Sequence, residues 1–335
     1  MEKEYARAAH GKPMKEHHGE HKHVEKPHAH EHEEQADNET PDDEFAGYVK
    51  AGKILGEVLA QTENFVKPGV KLLDIAVLIE NMIREKGAEV AFPANLSLNS
   101  IAAHYTPTRD DPTVVGEKDM LKVDIGAHFD GFVADAARTF CFNNEYLKLS
   151  EASKRALEEA IKLCRPGINI SEISTAIEDT ITSFGYKPIQ NLTGHGVGQY
   201  IVHMEPTIPN VKHMAGKKLE ENMVIAIEPF ATDGAGMVKD TSPIQIYRVY
   251  GGAAVRGQEA RKIIELAIGE WTGLPFAERW ITGMSAFQIR MGLKELRDRG
   301  LLHEYAPLRD QKDGMVSQWE HTIIVRDEPE VVTKF

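Results

Sequence analysis

From Phe45 the chain reads as an amphipathic helix, with Phe45, Tyr48, Val49, Ala51, Ile54, Leu55, Val58 and Leu59 recurring at three- and four-residue steps. A similar helix is predicted near 149–164. Each stops close to a Pro-Gly pair, Pro68-Gly69 and Pro166-Gly167, after which a second helix begins. At a constant offset of 98, Lys67–Gly87 (KPGVKLLDIAVLIENMIREKG) and Arg165–Gly185 (RPGINISEISTAIEDTITSFG) agree at seven of 21 positions. The matched pairs are Pro68/Pro166, Gly69/Gly167, Ile75/Ile173, Ile79/Ile177, Glu80/Glu178, Ile83/Ile181 and Gly87/Gly185. Strand-like runs follow each copy, at 120–142 in the first half and at about 195–204 and 222–231 in the second. Two copies are too few for a solenoid, so the pattern predicts one α+β domain with two pseudo-symmetric halves. GQEARKIIELAIGEW and SAFQIRMGLKELRDRGLL add two further helices, inside a stretch at about 252–308.

Composition changes this picture mainly at the N-terminus. Residues 1–44 hold 13 acidic and 6 basic side chains, so 7 of the 13 net negative charges lie there, with eight of the 15 histidines. Apolar residues are almost absent between Lys12 and Asp43. Such a segment cannot bury enough surface to offset chain entropy, and a disordered His/Glu-rich leader is expected, with the structured domain at 45–335. The bland account of its histidines is solvation; metal gathering is the sharper one. The acidic balance argues against DNA as a partner. No run approaches the roughly 20 apolar residues of a membrane span, and the charged start lacks a signal-peptide core. With only Cys141 and Cys164, no disulfide framework is indicated, and a cytoplasmic location is expected.

The strongest local signal is LKVDIGAHFDGFVADAARTF, Leu121–Phe140, which alternates around the turn signal Asp130-Gly131. A two-residue loop sets Phe129 opposite Phe132, Gly126 opposite Asp135 and Asp124 opposite Ala137. Asp124 and Asp135 then lie diagonally on one face, where two carboxylates repel unless a cation sits between them. His195 sits among glycines in NLTGHGVGQYIVH, and His203, eight residues on, would share its face along an unbroken strand. Glu228 in NMVIAIEPFAT and Glu320 in VSQWEHTIIV fall beside apolar runs that read as buried strands, where an ionised carboxyl is costly unless paired or metal-bound. Four carboxylates and one imidazole make a hard, oxygen-rich donor set. Periodicity alone does not assemble these five residues.

The ordered stretches AFPANLSLNSIAAHYTP (Ala91–Pro107), LKVDIGAHFDGFVADAA, GHGVGQY, AIEPFAT, LPFAERW (Leu274–Trp280) and QWEHTIIV (Gln318–Val325) closely resemble the type II methionine aminopeptidases over residues 45–335. The resemblance implies the pita-bread fold and removal of the initiator methionine from nascent proteins when the second residue is small. It implies two divalent ions, Co, Mn, Fe or Zn, on Asp124, Asp135, His195, Glu228 and Glu320, with Asp135 and Glu320 bridging. His104 and His203 match the substrate-facing histidines, and Glu320 would also shuttle a proton. Phe92, Val202, Tyr305 and Leu308 match lining positions of the methionine pocket, where plain core packing is the simpler account. The insertion at about 252–308, absent from type I enzymes, points to type II, and the short leader makes the core archaeal-like. Trp319, where the family usually has Phe, and the His-rich leader are departures. A monomer is the family default, and ribosome association is compatible. A prolidase or aminopeptidase P relative would carry a substantial N-terminal domain. A non-catalytic RNA- or ribosome-binding relative would have lost metal ligands.

Overall fold

The computed structural model describes residues 41–213, 216–250 and 254–335. The expected leader lies outside the described residues as far as residue 40, and the first helix already starts at Pro41, ahead of the expected boundary. Helix α1 (Pro41–Thr62) buries Ala51, Leu55, Val58 and Leu59 completely, and α2 (Leu72–Glu85) buries Leu72, Ile75, Ala76, Ile79 and Ile83. Each fully buried Leu, Ile or Val contributes about 1.5–3 kcal/mol. Both helices cover one face of an antiparallel sheet in the order β1 (Glu89–Leu98), β3 (Met120–Phe129), β4 (Phe132–Cys141), while β2 (Ile101–Ala103) turns away into another sheet.

The second half repeats the plan. Helices α3 (Leu147–Ile161) and α4 (Ile170–Ser183) share a core with the strands after them, and Asn169 and Glu172 form a capping box at the start of α4. Strands β5 (Lys187–Pro188), β6 (Thr193–Gly198), β7 (Ile201–Pro209), β8 (Val224–Ile227) and β9 (Phe230–Thr232) follow. The repeated glycines adopt matching left-handed conformations, φ 89° at Gly69 with 85° at Gly167, and 85° at Gly87 with 87° at Gly185. Any other L-residue would cost about 1–2 kcal/mol there, which explains why the duplication kept glycine at these points.

The chain then forms β10 (Val238–Asp240), β11 (Ile246–Val249), α5 (Gln258–Gly269), β12 (Phe276–Ala277), α6 (Ala286–Asp298) and β13 (Leu302–Tyr305). Helices α5 and α6 pack with the small sheet β12–β11–β13 around their own core, which includes Ile263, Ala267, Phe276, Leu293 and Leu296. This inserted unit takes in β11, ahead of residue 252, and its three short strands carry no visible helical or alternating signature. Last come β14 (Leu308–Asp310), which joins β10 and β2, β15 (Val316–Gln318), which pairs with β9, and β16 (His321–Ile324) and β17 (Glu330–Val331), which complete the five-stranded sheet β17–β16–β8–β6–β7. The two main sheets join where the Glu320 N–H donates to the Ala137 carbonyl at 3.0 Å and the Ala137 N–H returns a 3.4 Å bond.

Candidate metal centre

The β3–β4 hairpin has the register its sequence predicts: Phe129 faces Phe132, Gly126 faces Asp135 and Asp124 faces Ala137. Its turn residues, Asp130 (φ 50°) and Gly131 (φ 89°), are both left-handed, as a tight hairpin with right-handed twist requires. Asp124 and Asp135 are therefore carried inward from neighbouring strands and are buried. The second half supplies the other groups. His195 is on β6, Glu228 directly follows β8, and Glu320 sits between β15 and β16 at the join of the sheets.

These side chains converge. His195 Nε2 lies 3.8 Å from Asp135 Oδ2 and 3.7 Å from Glu228 Oε1. Its Nδ1 is 3.1 Å from the Gly196 carbonyl, so the geometry assigns the proton to Nδ1 and turns the Nε2 lone pair toward the carboxylates. One donor atom each from Asp135, His195 and Glu320 fits within 4.8 Å of the others. The amide of Gln318 reaches three of the acids, donating to Asp124 Oδ2 (3.3 Å), Glu228 Oε2 (3.3 Å) and Glu320 Oε2 (3.2 Å).

Several buried oxygens have no partner: Asp124 Oδ1, Asp135 Oδ1 and Glu320 Oε1. Orphaned carboxylate oxygens are costly in a protein interior, and four acids this close cannot all ionise without a cation or a proton. The electrostatics follow. Burial pushes Asp124 up to about 7, against the Gln318 amide, which lowers it. Burial drives Asp135 well above the usual carboxylate range, helped by the charges of Asp124 and Glu228. Glu228 and Glu320 rise for the same reasons, burial first and neighbouring carboxylates next. Burial lowers His195 to about 4, so its imidazole is neutral and free to ligate. Hard oxygen donors with one neutral imidazole suit a divalent cation, and the residues present fit one.

Two further histidines border this cluster. His104 directly follows β2 with φ 64°, a left-handed conformation, and its Nδ1 is 3.3 Å from the Ala306 carbonyl. Burial lowers its pKa to about 4. Contrary to the expectation of one unbroken strand, His203 does not share a strand with His195. Tyr200, left-handed at φ 56°, reverses the chain, and the two histidines sit on adjacent strands β6 and β7 with ring centroids 4.3 Å apart. The Tyr305 ring neighbours both, 5.5 Å from His104 and 6.2 Å from His203. Phe92 and Val202 are buried in one apolar cluster, while Leu308 pairs with Ala103 beside His104. Gln318 escaped the reading of the sequence, although strand alternation puts residue 318 on the same side as Glu320. A neutral amide gives no electrostatic warning of its place.

Residues 46–327 match the model of metallopeptidase family M24. The chain belongs to metallopeptidase family M24. Within M24 it is 45% identical over 293 residues to a methionine aminopeptidase of Thermococcus onnurineus, which covers 87% of this chain and 99% of that protein. The M24 architecture also appears among solved structures of lower identity. A thermophilic Arx1 aligns with a TM-score of 0.77 at 18% identity, covering 88% of this chain and 91% of that one. A methionine aminopeptidase of Thermotoga maritima aligns at 0.64 and 24% identity, covering 88% and 98%. These two establish the shared fold, the pita-bread arrangement of two related halves. Among the described residues, no helix is long and apolar enough to cross a membrane.

Proposed function

We propose that this chain removes the N-terminal methionine from nascent proteins in the cytoplasm, by hydrolysis at a centre of two divalent ions. Asp124, Asp135, His195, Glu228 and Glu320 would hold the ions. Such ions would supply a water acidified toward neutrality and Lewis-acid polarisation of the scissile carbonyl. The protein's own groups do the rest. His104, with its proton directed at Ala306, presents Nε2 as an acceptor toward the reacting peptide. His203 borders the same space beside His195 and steadies the developing charge. Glu320 carries a proton from the water to the leaving amine. Phe92, Val202, Tyr305 and Leu308 receive the methionine side chain, and the residue after it is small.

The observation that supports this reading most is the convergence of unpartnered carboxylate oxygens and one neutral imidazole from both halves. The test is hydrolysis of Met-Ala-Ser with Co, Mn, Fe or Zn, beside an Xaa-Pro dipeptide. Methionine release that disappears in Asp135→Ala is expected. Near-full turnover by that variant, or a preference for the Xaa-Pro substrate, overturns the proposal.

A further inference from the structure

The inserted unit sends one buried cation into the first half. Glu80 is the only charged side chain on the buried face of α2, and every donor it meets comes from elsewhere. Arg279 Nη2 pairs with Glu80 Oε1, Trp280 Nε1 donates to Oε2 at 2.9 Å, and the Ala94 N–H donates to Oε1 at 3.1 Å. Both charged side chains keep only 4% of their surface exposed. The other arm of the guanidinium, Nη1, donates to Thr106 Oγ1 at 2.6 Å and reaches the Pro107 carbonyl at 3.4 Å. The Thr106 hydroxyl in turn donates to the Ala94 carbonyl at 2.8 Å. From the other side, Arg109 Nη2 donates to the Ile281 carbonyl at 2.7 Å.

The loop fastened in this way carries His104. Residues on both sides of that histidine are pinned, Ala103 to Leu308 and the Tyr105 carbonyl to the Leu96 N–H at 2.6 Å. His104 itself is held at φ 64°, which costs a non-glycine residue and persists only where the surroundings over-determine it.

A buried ion pair is weak evidence for stability, because desolvation offsets most of the attraction. The duplication supplies an internal comparison. Glu178, the repeat partner of Glu80, occupies the equivalent helix, meets no buried guanidinium among the described residues and accepts the Lys212 N–H instead. Helix packing of this kind therefore forms without the ion pair, and the pair answers a need peculiar to the first half.

We infer that Glu80, Arg279, Trp280 and Thr106 are positioning residues for the reaction, through which the inserted unit fixes His104 toward the substrate. The inference rests on the proposed role of His104. It makes the insertion part of the catalytic apparatus.

The test uses the full chain loaded with manganese and steady-state kinetics on Met-Ala-Ser. Thr106→Val removes the shorter of the guanidinium's two bonds to the loop, leaving only the 3.4 Å reach to the Pro107 carbonyl, and keeps Glu80 and Arg279 paired. Arg279→Lys keeps the charge and loses the fork, and if it fails to fold, Thr106→Val decides alone. Thr106→Val should lower kcat at least about tenfold and Arg279→Lys up to about 100-fold, with KM moving much less and manganese stoichiometry unchanged. Placed on His104→Ala, Thr106→Val should cost nothing further; placed on His203→Ala, it should cost its full amount. Equal cost on both backgrounds, or an unchanged kcat in Thr106→Val, overturns the inference while leaving the peptidase reading intact. A wild-type protein that releases no methionine overturns both, whereas a His104→Ala variant as active as wild type overturns the inference and the role given to His104 but leaves the peptidase reading.

Discussion

Thr322 and Asp135 hold each other through one hydroxyl: the Asp135 N–H donates to Thr322 Oγ1 at 2.8 Å, and that hydroxyl donates to the Asp135 carbonyl at 2.7 Å. The bonds join β4 of the first half to β16 of the second, and they fix the backbone from which one of the clustered carboxylates projects.

Thr322→Val keeps the shape and leaves a buried N–H and carbonyl unpaired, at about 1–3 kcal/mol per orphaned group. Manganese affinity should fall about 10- to 100-fold, the usual result of losing an orienting partner behind a ligand. Calorimetric titration of the folded variant measures it. Wild-type affinity would show that Thr322 does not set the carboxylate's position.

Ion binding should depend steeply on pH. In the chelator-treated protein Asp124 titrates at about 7, and Asp135, Glu228 and Glu320 titrate well above the usual carboxylate range. Below pH 7 these groups hold protons that an ion must displace. Affinity should therefore fall about tenfold per pH unit for each proton released, and less steeply above pH 7 as Asp124 ionises. Titration in buffers of different ionisation enthalpy counts the protons. An affinity flat from pH 8 to 6 contradicts the shifts.

Gly126→Ala should damage the apolar wall beside the acids. A Cβ built at Gly126 falls 2.2 Å from Phe92 Cε1, because β3 passes directly beneath that ring. Overpacking of this kind costs about 1–3 kcal/mol. The displaced Phe92 should raise KM for methionyl peptides more than it lowers kcat. A variant with unchanged KM would remove Phe92 from the proposed pocket.

Gln318→Glu replaces the amide that donates to Asp124, Glu228 and Glu320 with one more acid. Like-charge crowding should lower the melting temperature in chelator, and manganese should restore more of it than in wild type, since a ligand stabilises only the state it binds. Differential scanning calorimetry with and without manganese reads the gap. A gap narrower than wild type's argues against a cation among these acids.

Local chemistry made some of this structure legible in the sequence. Asp130-Gly131 specifies a two-residue loop, so the register that aims Asp124 and Asp135 inward could be counted along the chain. The paired glycines of the repeat showed the halves because only glycine is at ease in those turns. Other relationships depend on long-range packing. Glu80 and Arg279 meet across 199 residues, and no periodic pattern encodes a meeting at that separation. The reversal at Tyr200 is invisible in the sequence because a left-handed tyrosine carries no compositional turn signal, and the spacing alone places His195 and His203 on one strand. Gathering the five proposed ligands took resemblance as well as pattern.

The clustered groups are divided across the join between the halves: Asp124 and Asp135 stand on one side, and His195, Glu228 and Glu320 on the other. A cation held among them, as proposed, would work as a rivet through two plates. Rocking one half against the other would open such a cage, so ion binding would favour a duplicated body that is stiff along this line and leaves any give to its periphery.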